Sequence, residues 1–172
     1  SPRLPGSPRL LPRIAARESE APAEDWTPSA FVPPTPAESE IPCSAKPFQA
    51  LPFIELGGQE KFGLTPREVS LMCSSHSGTD EHVDMVKGLQ AKIGVNVSNL
   101  LCGTQYPIHE PTSDAMKVRG ELPTPYRHNC SGKHTGMLAH AKLRAAPLEN
   151  YLDFDHIVQK SILQAFAEKV DS

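Results

Sequence analysis

The chain has 172 residues, a hydrophobic fraction of 38% and a formal net charge of −3 at pH 7. Its length predicts about one domain, and the mild acidity excludes the basic surface of a nucleic-acid-binding or membrane-surface protein. No apolar run approaches the roughly 20 residues that span a bilayer, and the N-terminal residues lack the apolar region of a signal peptide. We therefore expect a cytoplasmic protein whose partners are neither nucleic acid nor membrane.

The first 40 residues differ from the rest because they hold half of the 18 prolines of the chain. Proline lacks an amide donor and fixes φ, so residues 1–40 are predicted to be disordered. Four arginines precede the first acidic residue, Glu18, as in a transit peptide, but the prolines argue against an amphipathic helix. We favour a linker, with the domain covering residues 41–172.

Two helices are predicted in the first part of this domain. Residues 46–56 favour a helix interrupted by Pro52. Thr65 begins the next helix because Glu68 completes a capping box with it, and this helix should end near Ser74. A polar turn is predicted after it, and the next helix begins at the end of that turn.

A longer helix is predicted from Thr79 to Gly94, where glycine ends the helical pattern. Its apolar stripe has helical spacing and consists of Val83, Val86, Leu89 and Ile93. Residues 95–111 predict a loop with a short strand around Leu100–Leu101.

Three further helices complete the prediction. A short helix opens at Thr112 or Ser113, and another runs from about Lys133 to Leu143. Asp155 is predicted to cap the last helix. The histidines on predicted helices should be surface or half-buried residues, and they are His82, His140 and His156.

Cys43 and Lys46 form the first candidate motif. They lie three residues apart and would share one helical face. A neutral lysine next to a nucleophile can act as its base, as in the Ser-x-x-Lys pattern of penicillin-recognising enzymes. In this chain a cysteine stands at the first position, and a buried thiol beside a surface lysine is the simpler interpretation.

Ser75 and His76 lie in the second motif, at the predicted junction between two helices. Free amides at the start of the next helix favour a carboxylate or a developing oxyanion. The pair invites a Ser/His hypothesis, but neighbouring side chains rarely face each other. A polar turn that caps the following helix is the alternative.

The third motif contains Cys130, Lys133 and His134. A phosphate-binding loop is excluded because Walker A requires a glycine at Arg127 and a serine or threonine at His134. Cys130 and His134 at i,i+4 could bind zinc, although Cys102 or a residue outside the chain would have to supply another ligand. A capped helix start with Cys130 buried is the alternative.

The order and spacing of these motifs resemble the asparaginase II family. The matching segments are Ser44–Pro52, Ser75–Val83, Cys102–Gly103, Asn129–Ala139 and Tyr151–Gln159. The resemblance implies hydrolysis of L-asparagine to L-aspartate and ammonia, on an α/β, helix-rich fold like that of serine β-lactamases and glutaminases. It also leads us to expect a homodimer.

By position, the resemblance places a Ser-Lys pair on Cys43 and Lys46, with Ser75 as the serine of a second pair. We take Ser75 as the nucleophile, with Lys46 and Cys43 as its relay. The resemblance also implies a zinc ion, with Cys130 and Lys133 as two of its ligands.

Three departures from the family pattern shape the expectation. The family's opening strands should precede Lys46, and residues 1–40 show no pattern like them. Cys43 stands where the family has serine, and the second pair's lysine and a third zinc ligand are expected beyond residue 172. We therefore expect an incomplete catalytic domain with reduced or no activity. The alternatives are a glutaminase or penicillin-recognising acyl transferase, and a remnant that binds zinc or a partner through Cys102, Cys130 and His134.

Overall fold

The structure, a computed structural model, describes residues 45–170. The predicted disordered segment, the boundary of the domain and Cys43 lie outside the described residues. Within that range the chain forms α-helices, short 3-10 helices and no β-strand, which confirms its helix-rich character. The α-helices are α1 Lys46–Glu55, α2 Gly58–Lys61, α3 Pro66–Met72, α4 Asp80–Ile93, α5 Glu110–Val118, α6 Ser131–Leu143 and α7 Ile157–Val170.

The predicted start of α3 is confirmed. The hydroxyl of Thr65 accepts from the amide of Glu68, and the Glu68 carboxylate accepts from the Thr65 amide at 2.7 Å. Lys92 of α4 also contacts this carboxylate at 2.7 Å. Burial raises the pKa of Glu68, but the hydrogen bonds from Lys92 and Thr65 outweigh it and lower the pKa below its ordinary value. The capping box thereby joins α3 to α4.

Helix α1 was predicted to be interrupted at Pro52, and this is wrong. The helix continues through Pro52 to Glu55, and the carbonyl of Pro52 still accepts from the Leu56 amide. Proline removes its own donor and crowds the carbonyl four residues earlier, but here the residue is buried by packing that keeps the helix continuous. The short helix α2, which follows Gly57 in a left-handed conformation, has no counterpart in the prediction.

The predicted strand at Leu100–Leu101 is also wrong. Leu100 follows a 3-10 helix at Val97–Asn99, and the Leu101 amide donates to the Tyr151 hydroxyl at 2.9 Å. A side chain from a distant segment therefore satisfies the donor that a neighbouring strand would otherwise bind.

Helix α7 is capped by His156 and not by Asp155. The Nδ1 atom of His156 accepts from the Val158 amide at 3.2 Å, and Nε2 donates to the Pro147 carbonyl at 3.1 Å. Asp155 instead forms an exposed ion pair with Lys160. His156 is buried, and its two hydrogen bonds to backbone groups satisfy both ring nitrogens there.

Helix α6 lies at the centre of the described domain. It packs against α1, α3, α4 and α7, and its residues from Ser131 to Ala141 are buried except for Lys133. Its uniform burial explains why an amphipathic pattern is weak there. His140 of this helix is only 1% exposed, which corrects the prediction of a surface or half-buried residue. None of the described helices is long and apolar enough to cross a bilayer.

Candidate active site

Lys46 and Ser75 are brought together although they lie 29 residues apart. Lys46 occupies the first turn of α1 and is 8% exposed. Ser75 lies in the turn between α3 and α4, and its side chain is exposed. The Lys46 Nζ donates a hydrogen bond to the Ser75 Oγ. An accessible hydroxyl is therefore backed by a buried amine, which is the arrangement that a Ser/Lys nucleophile requires.

His76 points away from Ser75 into the interior. Its Nδ1 accepts from the Gly78 amide at 3.1 Å, so Nε2 carries the proton and donates to the Ser131 Oγ at 2.8 Å. Ser131 in turn donates to the Tyr126 carbonyl at 3.1 Å. This network binds the turn to the start of α6. Both imidazole nitrogens of His76 are therefore engaged elsewhere, and neither is free to accept the proton of Ser75, so the fold does not support the Ser/His hypothesis.

Burial holds His76 in the neutral form. Loss of solvent, together with the neighbouring charges of His82, His128 and Lys46, lowers its pKa to about 4. The ring also stacks on His82, with 5.1 Å between their centroids. His76 is therefore a structural residue of the site, because protonation would break its bond to Gly78.

Arg127 holds the other end of this turn, a role that the sequence analysis did not predict. Its guanidinium donates to the Gly78 carbonyl at 3.0 Å and to the Asp80 carboxylate at 2.6 Å. Gly78 adopts a φ of +74°, and a Cβ there would lie 2.6 Å from the Arg127 carbonyl oxygen. An arginine within a polar run carries no periodic signal of burial, so only the fold reveals this contact.

Cys130 and Lys133 lie half-buried at the start of α6. Both residues lie near enough to the Cys102 thiol to change its pKa. Burial raises the pKa of Cys102 to about 11, to which Cys130 adds, while Lys133 acts in the opposite direction. Thiolate sulfur is a donor that suits zinc, whereas a lysine amine is an unusual ligand that must lose its proton before it can bind a metal. In chemical type, Cys130 therefore fits the predicted metal better than Lys133 does.

His134 does not face this group of donors. Its Nδ1 accepts from the Tyr151 hydroxyl at 2.7 Å, and its ring meets the tyrosine edge-on in the core. Among residues 45–170, no three His, Cys, Asp or Glu side chains come together as a metal site. The hypothesis of a zinc site made from Cys102, Cys130 and His134 is therefore not supported by the described fold.

Gln49 is a further polar residue that the sequence analysis missed. Its Oε1 is buried and has no hydrogen-bond partner among the described residues. It lines a narrow void between α1 and α6, where Lys133 contributes the only side-chain amine. Spacing could have indicated this position, because Gln49 follows Lys46 by three residues on α1 and such residues share a helix face.

Helix α6 approaches α3 closely at Gly132. A Cβ at this position would lie 2.6 Å from the carbonyl oxygen of Leu71, which is backbone and has little room to move. We expect Gly132→Ala to lower the free energy of unfolding by about 1–3 kcal/mol, measured by urea denaturation. The overlap should outweigh the higher helix propensity of alanine.

Gly88→Ala is the matched control, since this glycine lies within α4 and has no atom near its added Cβ. Its stability should rise by up to about 1 kcal/mol. Equal stabilisation of both variants would show that α3 and α6 are not in close contact.

Comparison with known proteins places these residues in context. A model of the L-asparaginase II family matches residues 39–172, which includes every described residue of the site. No match is found among curated proteins.

Proposed function

Because the chain belongs to the L-asparaginase II family, we propose that it is an amidohydrolase that converts free L-asparagine to L-aspartate and ammonia. Family membership supports the reaction class. The contact between the buried Lys46 amine and the exposed Ser75 hydroxyl is the observation that supports the reacting residues.

In the first half of the proposed reaction, Ser75 attacks the side-chain amide carbon of the substrate. The Lys46 amine accepts the hydroxyl proton as the Oγ–C bond forms. The carbonyl electrons move to oxygen, and amides at a helix start would stabilise this oxyanion. When the C–N bond breaks, Lys46 returns the proton to nitrogen and ammonia leaves an ester on Ser75.

In the second half, water hydrolyses that ester. Lys46 accepts a proton from the attacking water and returns it to the Ser75 oxygen as the C–O bond breaks. Aspartate leaves and both side chains regain their initial protonation states. Cys43 is proposed as a neighbouring proton relay, in keeping with its spacing from Lys46.

Zinc is proposed as the associated metal, with Cys130 and Lys133 as the residues of this chain that would hold it. When bound, zinc would supply a Lewis acid and would require both donors to be deprotonated. The amine of Lys133 would then be held neutral, and the buried Oε1 of Gln49, which lines the same void, would accept a hydrogen bond from one of its N–H groups.

The proposed architecture of serine β-lactamases and glutaminases includes a sheet. Residues 45–170 contain none of its strands. On this proposal α1 supplies Lys46, the turn between α3 and α4 supplies Ser75, and α6 supplies Lys133.

The test is ammonia release from L-asparagine by the purified chain and by its Ser75→Ala variant. Removal of an attacking hydroxyl should lower kcat by at least about a thousandfold. Ser77→Ala is the matched control, because the Ser77 hydroxyl makes no hydrogen bond within the described fold while its carbonyl accepts from the His109 amide. It should keep nearly full activity.

The same assay separates the alternatives. Faster release of ammonia from L-glutamine would favour a glutaminase, and a covalent adduct of a β-lactam on Ser75 would favour a penicillin-recognising enzyme. Equal activity of Ser75→Ala and the unaltered chain would exclude Ser75 as the nucleophile.

A further inference from the structure

A groove lies at the opposite end of α1 from Lys46. It has a volume of about 260 Å³ and is bordered by α1, α6 and α7. Nine residues separate Lys46 from Glu55 along α1, which corresponds to about 14 Å at the rise of an α-helix. The groove is therefore distinct from the proposed catalytic site. Its polar and charged lining residues are Glu55, Arg144, Ser161, Gln164 and Glu168.

Opposite charges face this groove without neutralising each other. Glu55 and Arg144 have neither an ion-pair partner nor a side-chain hydrogen bond among the described residues. Within residues 45–170, Glu168 accepts a hydrogen bond from Gln164 alone, at 2.8 Å. A lone anion would be repelled by the two carboxylates, and a lone cation would be repelled by the guanidinium. A ligand that carries both charges would meet complementary groups.

The arrangement of the lining fits an α-amino acid. The guanidinium of Arg144 can bind a carboxylate through two parallel hydrogen bonds. Glu55 stands at the carboxyl end of α1, where the helix dipole also favours a positive charge such as an ammonium group. Pro52, Leu56 and Ala165 add apolar surface for a short side chain.

The size of the groove agrees with this assignment. Pockets for drug-sized ligands have volumes of about 300–1,000 Å³, so a groove of about 260 Å³ suits a smaller molecule. A small amino acid is such a molecule. We propose that this groove binds a zwitterionic α-amino acid through Arg144 and Glu55. The proposal does not depend on the reaction assigned to Lys46 and Ser75.

The experiment is a titration of the ¹⁵N-labelled chain with L-alanine, followed by two-dimensional NMR. L-Alanine has both charges and a short side chain, but it has no side-chain amide to hydrolyse. The largest shifts are expected at Ser161 and Gln164. Propionate and ethylamine, which each carry one of the two charges, should bind about tenfold more weakly because each leaves one pair unmade.

Arg144→Gln and Glu55→Gln should each weaken L-alanine binding by about tenfold. Lys142→Gln, which removes an exposed charge on the same helix outside the groove, should leave the affinity unchanged. The proposal is overturned by shifts centred on Ser75, by equal affinity in all three variants, or by no saturable shift. Thermal unfolding of each variant confirms that it is folded.

Discussion

In a Lys46→Met variant, kcat for L-asparagine hydrolysis is expected to fall by about 10²–10⁴-fold, the usual contribution of a positioned general base. Methionine keeps an unbranched stem in a site that is only 8% exposed, so the fold should persist. The variant loses the amine that contacts Ser75 and would accept its proton. Stopped assays of ammonia release, with far-ultraviolet circular dichroism as a check of folding, measure the effect.

A Lys46→Arg variant distinguishes a base from a positive charge. Arginine keeps the charge but is effectively always protonated, so it cannot accept a proton. Activity in Lys46→Arg should therefore stay as low as in Lys46→Met. Lys142→Arg, at an exposed position, is the control and should be fully active. Recovery of activity with arginine would mean that Lys46 acts by its charge alone.

Acid is expected to destabilise the domain at pH values well above the pKa values of its carboxylates. Burial, with the positive charge of Arg144 and the proximity of His156, lowers the pKa of His140 to about 4. His76 has a pKa of about 4 for the reasons given above. Both are neutral and buried in the fold, whereas the unfolded chain binds a proton on each with a pKa near 6.5.

The unfolded state therefore binds more protons than the native state between pH 6.5 and 4. Above that range these histidines do not reduce the free energy of unfolding. As the pH falls through the range, the free energy of unfolding decreases. Each histidine should remove about 2 kcal/mol between about pH 7 and pH 5. Urea denaturation at a series of pH values measures the loss.

His140→Leu tests the assignment of this loss. Both ring nitrogens of His140 are buried and lack a hydrogen-bond partner in the described part of the chain, so leucine removes two unsatisfied polar atoms at similar volume. The variant should be at least as stable at neutral pH and should lose at most about a third of the acid dependence, because burial also lowers the pKa of His76 and of His134. A pH profile identical to that of the unaltered chain would show that His140 does not titrate in this range.

Local chemistry made part of this structure predictable from the sequence. Thr65 and Glu68 form their capping box from neighbouring residues, and Gly94 ends α4 because glycine adopts a positive φ at little cost. Both of these signals lie within a few residues. Lys46 and Ser75 became candidate reacting residues through the resemblance to the family, which the order of the motifs carried, and the fold brings the two side chains into contact.

The remaining features depend on contacts between distant segments. Burial of His140 is decided by the helices that surround α6, and the Leu101 amide is satisfied by Tyr151 from another loop. Pro52 remains within α1 although its local preference is to interrupt a helix. In each of these places tertiary packing overrides the local signal, which is why residue patterns alone gave the wrong environment.

The contacts that assemble the site also bear on how the chain folds. Lys46 meets Ser75 across 29 residues, Arg127 meets Gly78 across 49, and His76 meets Ser131 across 55. Helices form from local contacts, whereas these pairings require closure of long loops and are slower. A refolding chain should therefore regain the circular dichroism signal of its helices before Ser75 contacts Lys46. Return of catalysis would then report the last step of folding, and an intermediate rich in helix would be inert toward substrate.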